Sequence, residues 1–457
     1  MPAIYFGRSA YKRGNGNLPE LRLVNMYAET APTSEGGVVL LGRPGLELST
    51  TTGNGPIRGI FSQEGTFGGD VFTVSGSGLY RGPTLLGAIG GSGPVSIAAS
   101  DIEIVVTAGS SAYSYNGTDL AVIAFPDNAN VVAVAYVAGL FVYARAQSHR
   151  FYWSAVLDGR TISALDYASA ELKPDYLVDL QIVRGNLYLL GQQTIEPWFP
   201  NGDPDLPFTR MDQRLLPNGV RATGCSREFD NTLGFLGSDG IVYRIGDVAE
   251  RLSDHGIEER IEASATASCF AFVYEGHSFF CIRLEQGTFA YDAATGEWCE
   301  LASYGRDNFR GRCAASSARR VLLGDDETGK VWTFTESPTD DGETLVALFS
   351  AGFAIKGGTL ILDNVSVEAN TGWTEFLAGQ GANPQIEMRA SRDGGATWGA
   401  WRSAPLGAQG RYRTRARWTR CGMFDPPGGL LEFRISDPSP RRVSGVYINE
   451  GGGGRSR

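Results

Sequence analysis

Histidine and cysteine are scarce in this 457-residue chain, with three of the first and six of the second. The cysteines (Cys225, Cys269, Cys281, Cys299, Cys313, Cys421) form no C-x-x-C pair, and three histidines are too few to complete zinc sites with them. We therefore read them as reduced core residues and expect no metal and no other cofactor. No run of 18 or more apolar residues occurs, which excludes a membrane-spanning helix. The start, Met1-Pro2-Ala3-Ile4-Tyr5-Phe6-Gly7-Arg8, has no long apolar segment followed by a small-residue cleavage site, so a soluble product made in the cytoplasm, without membrane insertion, is expected. Sustained apolar periods of 3.6 residues are also missing, which leaves little room for helix.

Glycine is abundant instead: 61 residues, nearly twice the usual share of about 7%. Without a Gly-X-Y period or a low-complexity tract, this points to many tight turns between strands rich in aromatic and β-branched residues. The class is all-β. Charge is uneven along the chain. Residues 1–340 carry 26 Lys and Arg against 39 Asp and Glu, a net −13, and residues 341–457 carry 14 against 11, a net +3. An acidic body does not suit general nucleic-acid binding, which rests on phosphate neutralisation, but it suits a passage that DNA crosses without sticking.

One unit recurs seven times: an apolar strand, a Gly/Asp/Ser/Asn turn, then a strand carrying Tyr, Phe or Trp. Its copies pair 71–74 with 78–80, 104–106 with 112–115, 140–143 with 151–153, 187–190 with 195–198, 233–236 with 241–243, 279–282 with 288–291, and 321–323 with 331–334. The aromatics Tyr80, Tyr115, Trp153, Trp198, Tyr243, Tyr291 and Phe334 fall 35 to 48 residues apart. That period, with several short strands per unit, predicts a β-propeller of about seven blades over residues 56–340. The quoted pairs would be the two middle strands of each blade, with segments such as 56–61 and 180–183 lining the axis. Six or eight blades, or an array of β-sandwiches, remain open at this point.

Residues 1–55 read as an N-terminal arm, partly extended, with a short helix expected around Leu21 to Glu29. Ser337-Pro338-Thr339-Asp340-Asp341-Gly342 reads as a boundary. Beyond it, longer alternating strands at 360–368, 385–390, 412–418, 430–435 and 443–448 predict a β-sandwich or jelly-roll-like domain over 341–450, followed by a flexible Gly-rich tail at 451–457.

Candidate chemistry is thin. Ser391-Arg392-Asp393-Gly394-Gly395-Ala396-Thr397-Trp398 matches the Asp box of sialidase propellers, but that box is a structural hairpin turn remote from the active site. It motivates a sialidase-like or glycan-binding propeller as the alternative function. His149, His255 and His277 have no nucleophile at a recognisable spacing, and no G-x-S-x-G, H-E-x-x-H or Walker loop occurs. The Gly87–Gly93 run lacks the Lys-Ser/Thr and the helix of a phosphate cradle. Asp325-Asp326-Glu327 lacks EF-hand spacing and reads as a solvated turn. In 411–418 a strand would put Arg411, Arg413, Arg415 and Arg417 on one face. Such a basic row discourages edge aggregation, meets an acidic subunit, or touches DNA.

Several motifs in order, Leu23-Val24-Asn25-Met26-Tyr27-Ala28-Glu29, Gly42-Arg43-Pro44-Gly45-Leu46, Gly78-Leu79-Tyr80-Arg81-Gly82 with Gly91-Ser92-Gly93-Pro94-Val95-Ser96, Gln193-Thr194-Ile195-Glu196, and the Tyr291-Asp292 to Glu297-Trp298 hairpin, resemble the tail-hub, or packaged-DNA-stabilisation, proteins of short-tailed phages. The resemblance runs over most of the chain. It implies a non-enzymatic virion protein located in the tail, forming a hexameric ring beneath the head-tail adaptor and portal. Such a hub would retain packaged double-stranded DNA, line the ejection channel, and carry the tail needle or plug and the fibres or spikes. It also implies that the arm docks on a neighbouring copy, with interface candidates Asn25, Arg43, Pro44, Gly45 and Leu46 alongside the four arginines.

Overall fold

Two-residue turns set the geometry of most of this molecule. At Ala138-Gly139, Arg184-Gly185, Asp230-Asn231 and Glu275-Gly276 both central residues have positive φ, the conformation whose twist matches that of the strands it joins. Each turn fixes the register of a hairpin: Val137 faces Leu140, Val183 faces Asn186, Phe229 faces Thr232, and Tyr274 faces His277. The computed structural model describes residues 3–4, 7–10, 21–32, 37–170, 173, 175–211, 214–318, 320–374, 376, 378–379 and 381–449.

The hairpins extend into four-stranded antiparallel blades at 57–88, 95–122, 131–169, 177–210, 226–251 and 267–301. A seventh blade is built from Gly311–Ser317, Arg320–Asp325, Lys330–Thr335 and, as its outermost strand, Gly45–Thr51 from the other end of the chain. The first strand of each blade contacts the first strand of the next, round to the seventh against the first, so the ring is closed. The fold is a seven-bladed propeller, and all seven hairpins expected from the repeat are the middle strands of its blades.

Those strands carry near-continuous apolar sequence because neighbouring blades cover both of their faces. Ile104–Ala108 and Gly287–Asp292 are buried throughout. Aromatics fill the seams. Between blades 3 and 4, Phe151 packs edge-on against Trp198 at 5.3 Å and near Phe208 at 6.3 Å; between blades 5 and 6, Phe229 meets Phe280 at 5.2 Å. Five of the six cysteines are buried, Cys313 is half-buried, and none is disulfide-bonded.

The C-terminal domain is a β-sandwich. One sheet holds Ala347–Ala354, Gly428–Ile435, Gln385–Ser391 and Arg402–Pro405; the other holds Leu360–Ala369, Ala416–Phe424 and Arg442–Ile448. Phe349, Phe433 and Trp418 stack between them, at 4.9 Å and 5.7 Å.

The N-terminal arm departs from expectation. Where a helix was predicted around 21–29 the chain forms strands Leu23–Val24 and Met26–Thr30. Partners distant in sequence override the local preference. Met26–Thr30 pairs with Val38–Gly42 as part of the second sandwich sheet. Leu23–Val24 lies parallel to Glu297–Leu301 of blade 6 and antiparallel to Ala347–Ala354, which makes one nine-stranded sheet running from propeller into sandwich. Among the described residues the one α-helix is His255–Glu262, capped by the Asp254 carboxylate on the N–H of Ile257 at 2.9 Å; no helix is long and apolar enough to cross a membrane.

Candidate assembly site

Two of the motif segments meet at the junction of the two domains. Asn25 stands between its two short strands with φ 54°, a left-handed conformation that Asn tolerates better than most residues. Its backbone N–H donates to the carbonyl of Glu300 at 2.8 Å and its side-chain amide to that of Val346 at 2.8 Å, so one residue ties blade 6 to the sandwich. Its Oδ1 accepts from the N–H of Ala302 at 3.0 Å and from Nε of Arg43 at 2.8 Å. Arg43, only 6% exposed, forks onto Asp340 through Nη1 at 2.9 Å and Nη2 at 2.6 Å, and donates further to the carbonyls of Pro44 and Ala302. The ring of Phe309 lies 5.0 Å from its guanidinium carbon.

Asp340 is fully buried and belongs to the segment read as the domain boundary; there Thr339–Asp340 pairs in parallel with the Gly45–Thr51 strand. Gly45 fits because a Cβ there would lie 2.1 Å from the carbonyl oxygens of Ser337 and Thr339. Arg441, from the last sandwich strand's approach, donates to the carbonyls of Leu345 at 2.6 Å and Pro338 at 3.1 Å. Burial and the nearby Arg43 charge push its pKa down to about 10, so it stays charged at neutral pH.

Asn25, Arg43, Pro44, Gly45 and Leu46 are thus brought together, and all five are buried within this chain. Their contacts lock propeller to sandwich. The sequence places these residues at a contact with a neighbouring copy; within this chain they sit between its own two domains.

A second lock lies beside the first. His277, buried at the start of its strand, has Nδ1 2.8 Å from Asp292 and Nε2 2.7 Å from Glu29. Burial alone would lower its pKa, but hydrogen bonds and charge from the two carboxylates outweigh that and raise it. With a carboxylate on each ring nitrogen, His277 clamps the Met26–Thr30 strand to blade 6. Tyr27 packs edge-on over the ring at 4.8 Å.

The arginine row is not one strand. Its strand starts only at Ala416, because the preceding residues fold back: the N–H of Thr414 donates to the carbonyl of Arg411, and that of Arg411 to Ala408. Arg411, Arg413, Arg415 and Arg417 are all exposed, but only Arg417 alternates with the buried Ala416 and Trp418 as a strand requires. Arg415 lies over the ring of Tyr447 at 5.0 Å.

The remaining candidates are structural in their contacts. In the Asp box, Asp393 accepts from the backbone and hydroxyl of Thr397 and from Ser391, which holds its carboxyl well below the usual range. Asp325 accepts from the N–H groups of Glu327 and Thr328 and from the Trp332 indole, while Asp326 pairs with Arg283 and Arg306. In the Gly-rich run it is carbonyls, of Gly90 and Gly93, that point at the Arg58 guanidinium, the opposite of an anion cradle. Among the described residues no group of three or more His, Cys, Asp or Glu is placed to hold a metal. On the propeller axis the first strands of six blades enclose a cavity of about 400 Å³ lined by Arg58, Tyr136, Gln181, Arg227, Glu228 and Cys313, among others.

Family models match both domains. The model described as Bacteriophage P22 Gp10, beta-propeller, matches residues 4–338, and that described as Bacteriophage P22 Gp10, beta-sandwich, matches residues 347–450. The chain belongs to the P22 Gp10 family. A curated relative in that family, the tail hub protein gp10 of Salmonella phage P22, is 24% identical over 428 residues, covering 86% of this chain and 88% of its own. Solved structures similar to the chain include the computationally designed Ika8 protein, at TM-score 0.41, 13% identity and coverage of 72% of this chain and 99% of that one. The extracellular domain of a hybrid two component system from B. thetaiotaomicron gives TM-score 0.45, 11% identity and coverage of 89% and 59%.

Sequence reasoning named Asn25 and Arg43 as candidates; Glu29 and Asp292 fell inside quoted motifs, His277 among the weighed histidines and Asp340 in the boundary, but none was joined to a partner, and Arg441 went unnamed. Glu29 and His277 are 248 positions apart, so no local spacing betrays them. Asp340 carried the signal of an acidic residue in a turn-forming boundary, which described its neighbours better than itself.

Proposed function

We propose that this chain is a structural component of a phage virion, a tail hub that joins the portal-side adaptor to the distal tail parts. The observation that carries the reading is the match of both domains to the P22 Gp10 models, together with the likeness of 86% of the chain to the tail hub protein of Salmonella phage P22. In this reading six copies form a ring in the virion tail, retain packaged double-stranded DNA, line the ejection channel, and carry the needle or plug and the fibres or spikes. We assign it no catalytic role.

The two domains behave as one stiff body, since a shared sheet, the buried Arg43–Asp340 lock and the half-buried His277–Glu29 lock join them, and a stiff body is what a load-bearing ring requires. DNA would pass through the lumen between copies. The axial cavity of each propeller has the volume of a small-ligand site and offers no bore for a duplex. An acidic propeller makes few phosphate contacts and lets the genome slide. The glycan-processing alternative rested on the Asp box, whose acceptor atoms are engaged in its own turn, and is not carried further.

The test is imaging of particles assembled with and without this protein. Particles lacking it are expected to lose their DNA and the distal tail. Intact, DNA-filled, tail-complete particles in its absence would overturn the role.

A further inference from the structure

We propose that Trp373 and Tyr412, with Arg411 and Arg413 beside them, form the contact by which one copy of this chain docks onto the acidic propeller of the next. This rests on the ring reading above and names a surface that would build it.

Trp373 and Tyr412 come from two loops at one end of the sandwich. Their ring centroids lie 5.4 Å apart, yet they are 56% and 54% exposed. Of the eight tryptophans in the chain, Trp373 alone leaves more than half its surface open. An aromatic pair left in water keeps a large area uncovered, and burying it in an interface is strongly favourable.

The loops that present the pair are firmly built. The N–H of Gly372 donates to the carbonyl of Leu406 at 3.1 Å, and the N–H of Gly410 to that of Gly372 at 3.0 Å. The hydroxyl of Thr371 donates to the carbonyl of Tyr412 at 3.1 Å, and the N–H of Thr374 to the side-chain oxygen of Gln409 at 2.9 Å. Gly372 lies so close to the backbone of Arg411 and Tyr412 that a Cβ would come within 2.5 Å. A preorganised patch loses little freedom on binding, which is where interface affinity is usually lost.

Charge selects the occupant. Arg411 and Arg413 are exposed, and among the described residues neither has a carboxylate partner within the chain. Trp, Tyr and Arg are the residues that dominate binding energy at protein interfaces. The first 340 residues supply the complementary surface, with their net −13 against the +3 of the remainder. Patch and acidic surface are different parts of one molecule, so their contact is head-to-tail, the kind that builds a ring when its rotation closes. A nucleic-acid occupant fits less well: aromatic stacking needs unpaired bases, and duplex DNA keeps its bases stacked.

The experiment uses the full-length chain with a photo-crosslinking amino acid at position 373, and in parallel the variants Trp373→Ala/Tyr412→Ala and Arg411→Glu/Arg413→Glu, with self-association followed by sedimentation velocity at several salt concentrations. The expected crosslink joins position 373 to a peptide within 56–340 of a second copy. Each double variant should weaken self-association about 30-fold or more with an unchanged melting temperature, the substituted side chains being on the surface. Rings that form normally in both variants, or a crosslink only to DNA or to another tail protein, would overturn the inference and leave the ring reading standing. A wild-type chain that stays monomeric at every concentration would remove both.

Discussion

Without the Asp340 carboxylate, two buried guanidinium groups, Arg43 and Arg441, would share the domain junction with no anion between them. Asp340→Leu keeps the branched outline but puts bulkier methyl groups where the oxygens were, and removes the charge and its two hydrogen bonds to Arg43. Breaking one partner of a buried ion pair costs about 3–5 kcal/mol, because the surviving charge stays desolvated, and here Arg43 retains only Asn25 and two carbonyls as partners. Replacing both, Arg43→Met with Asp340→Leu, should recover much of the loss, since an apolar pair of similar volume is often neutral. At about 1.4 kcal/mol per decade, the single substitution should raise amide hydrogen exchange of the Gly45–Thr51 and Leu23–Val24 strands by roughly two to three and a half orders of magnitude. Blades 2 to 4, far from the junction, should exchange as before. Hydrogen exchange read by peptide makes the comparison, and a double-mutant cycle isolates the coupling. An Asp340→Leu protein whose clasping strands exchange at the parent's rate would refute the assignment of the junction to this pair.

Three further outcomes are expected. His277 has a raised pKa in the folded protein, so its clamp contributes fully below the unfolded value of about 6.5 and fades as pH climbs through the folded value; thermal melts of parent and His277→Gln should differ most near pH 6 and converge in alkali, and a gap independent of pH would count against the clamp. Gly45→Ala puts a methyl 2.1 Å from two carbonyl oxygens and should destabilise by about 1–3 kcal/mol or more, seen as an earlier loss of blade 7 in limited proteolysis. Phe151→Ala opens a cavity in the seam of blades 3 and 4 and should cost about 3–5 kcal/mol by denaturant titration; a loss below 1 kcal/mol would mean the seam is looser than its 5.3 Å ring contact implies.

The propeller was legible because its middle strands are covered on both sides. Burial turns them into apolar, aromatic runs at a fixed period, and the eye needs no partner to see them. Outer strands lack that pressure: Thr84–Ala88 has no buried residue and so carries almost no pattern. The strand Gly45–Thr51 was hidden for a different reason. Only Gly45 and Leu46 in it are buried, and its neighbour in the sheet is Lys330–Thr335, nearly three hundred positions away. The arginines from 411 to 417 show the converse: their letters alternate as a strand's would, yet the chain turns from 408 to 414 and the strand begins only at Ala416. At the candidate site the motif residues were legible but their partners were not: Asn25 and Arg43 look like surface in sequence, and Asp340 together with distant backbone groups makes them interior.

Blade 7 takes its first three strands from residues 311–335 and its fourth from 45–51, which has a kinetic corollary during translation. The clasping strand leaves the ribosome early and must wait for some 284 more residues, roughly 14–57 s at 5–20 residues per second. Until then blades one to six stand as an unclosed arc with an apolar blade face uncovered at each end, and uncovered apolar faces are where other chains adhere. Crowded synthesis of many copies therefore places its greatest aggregation hazard in that interval, ahead of any encounter between finished subunits.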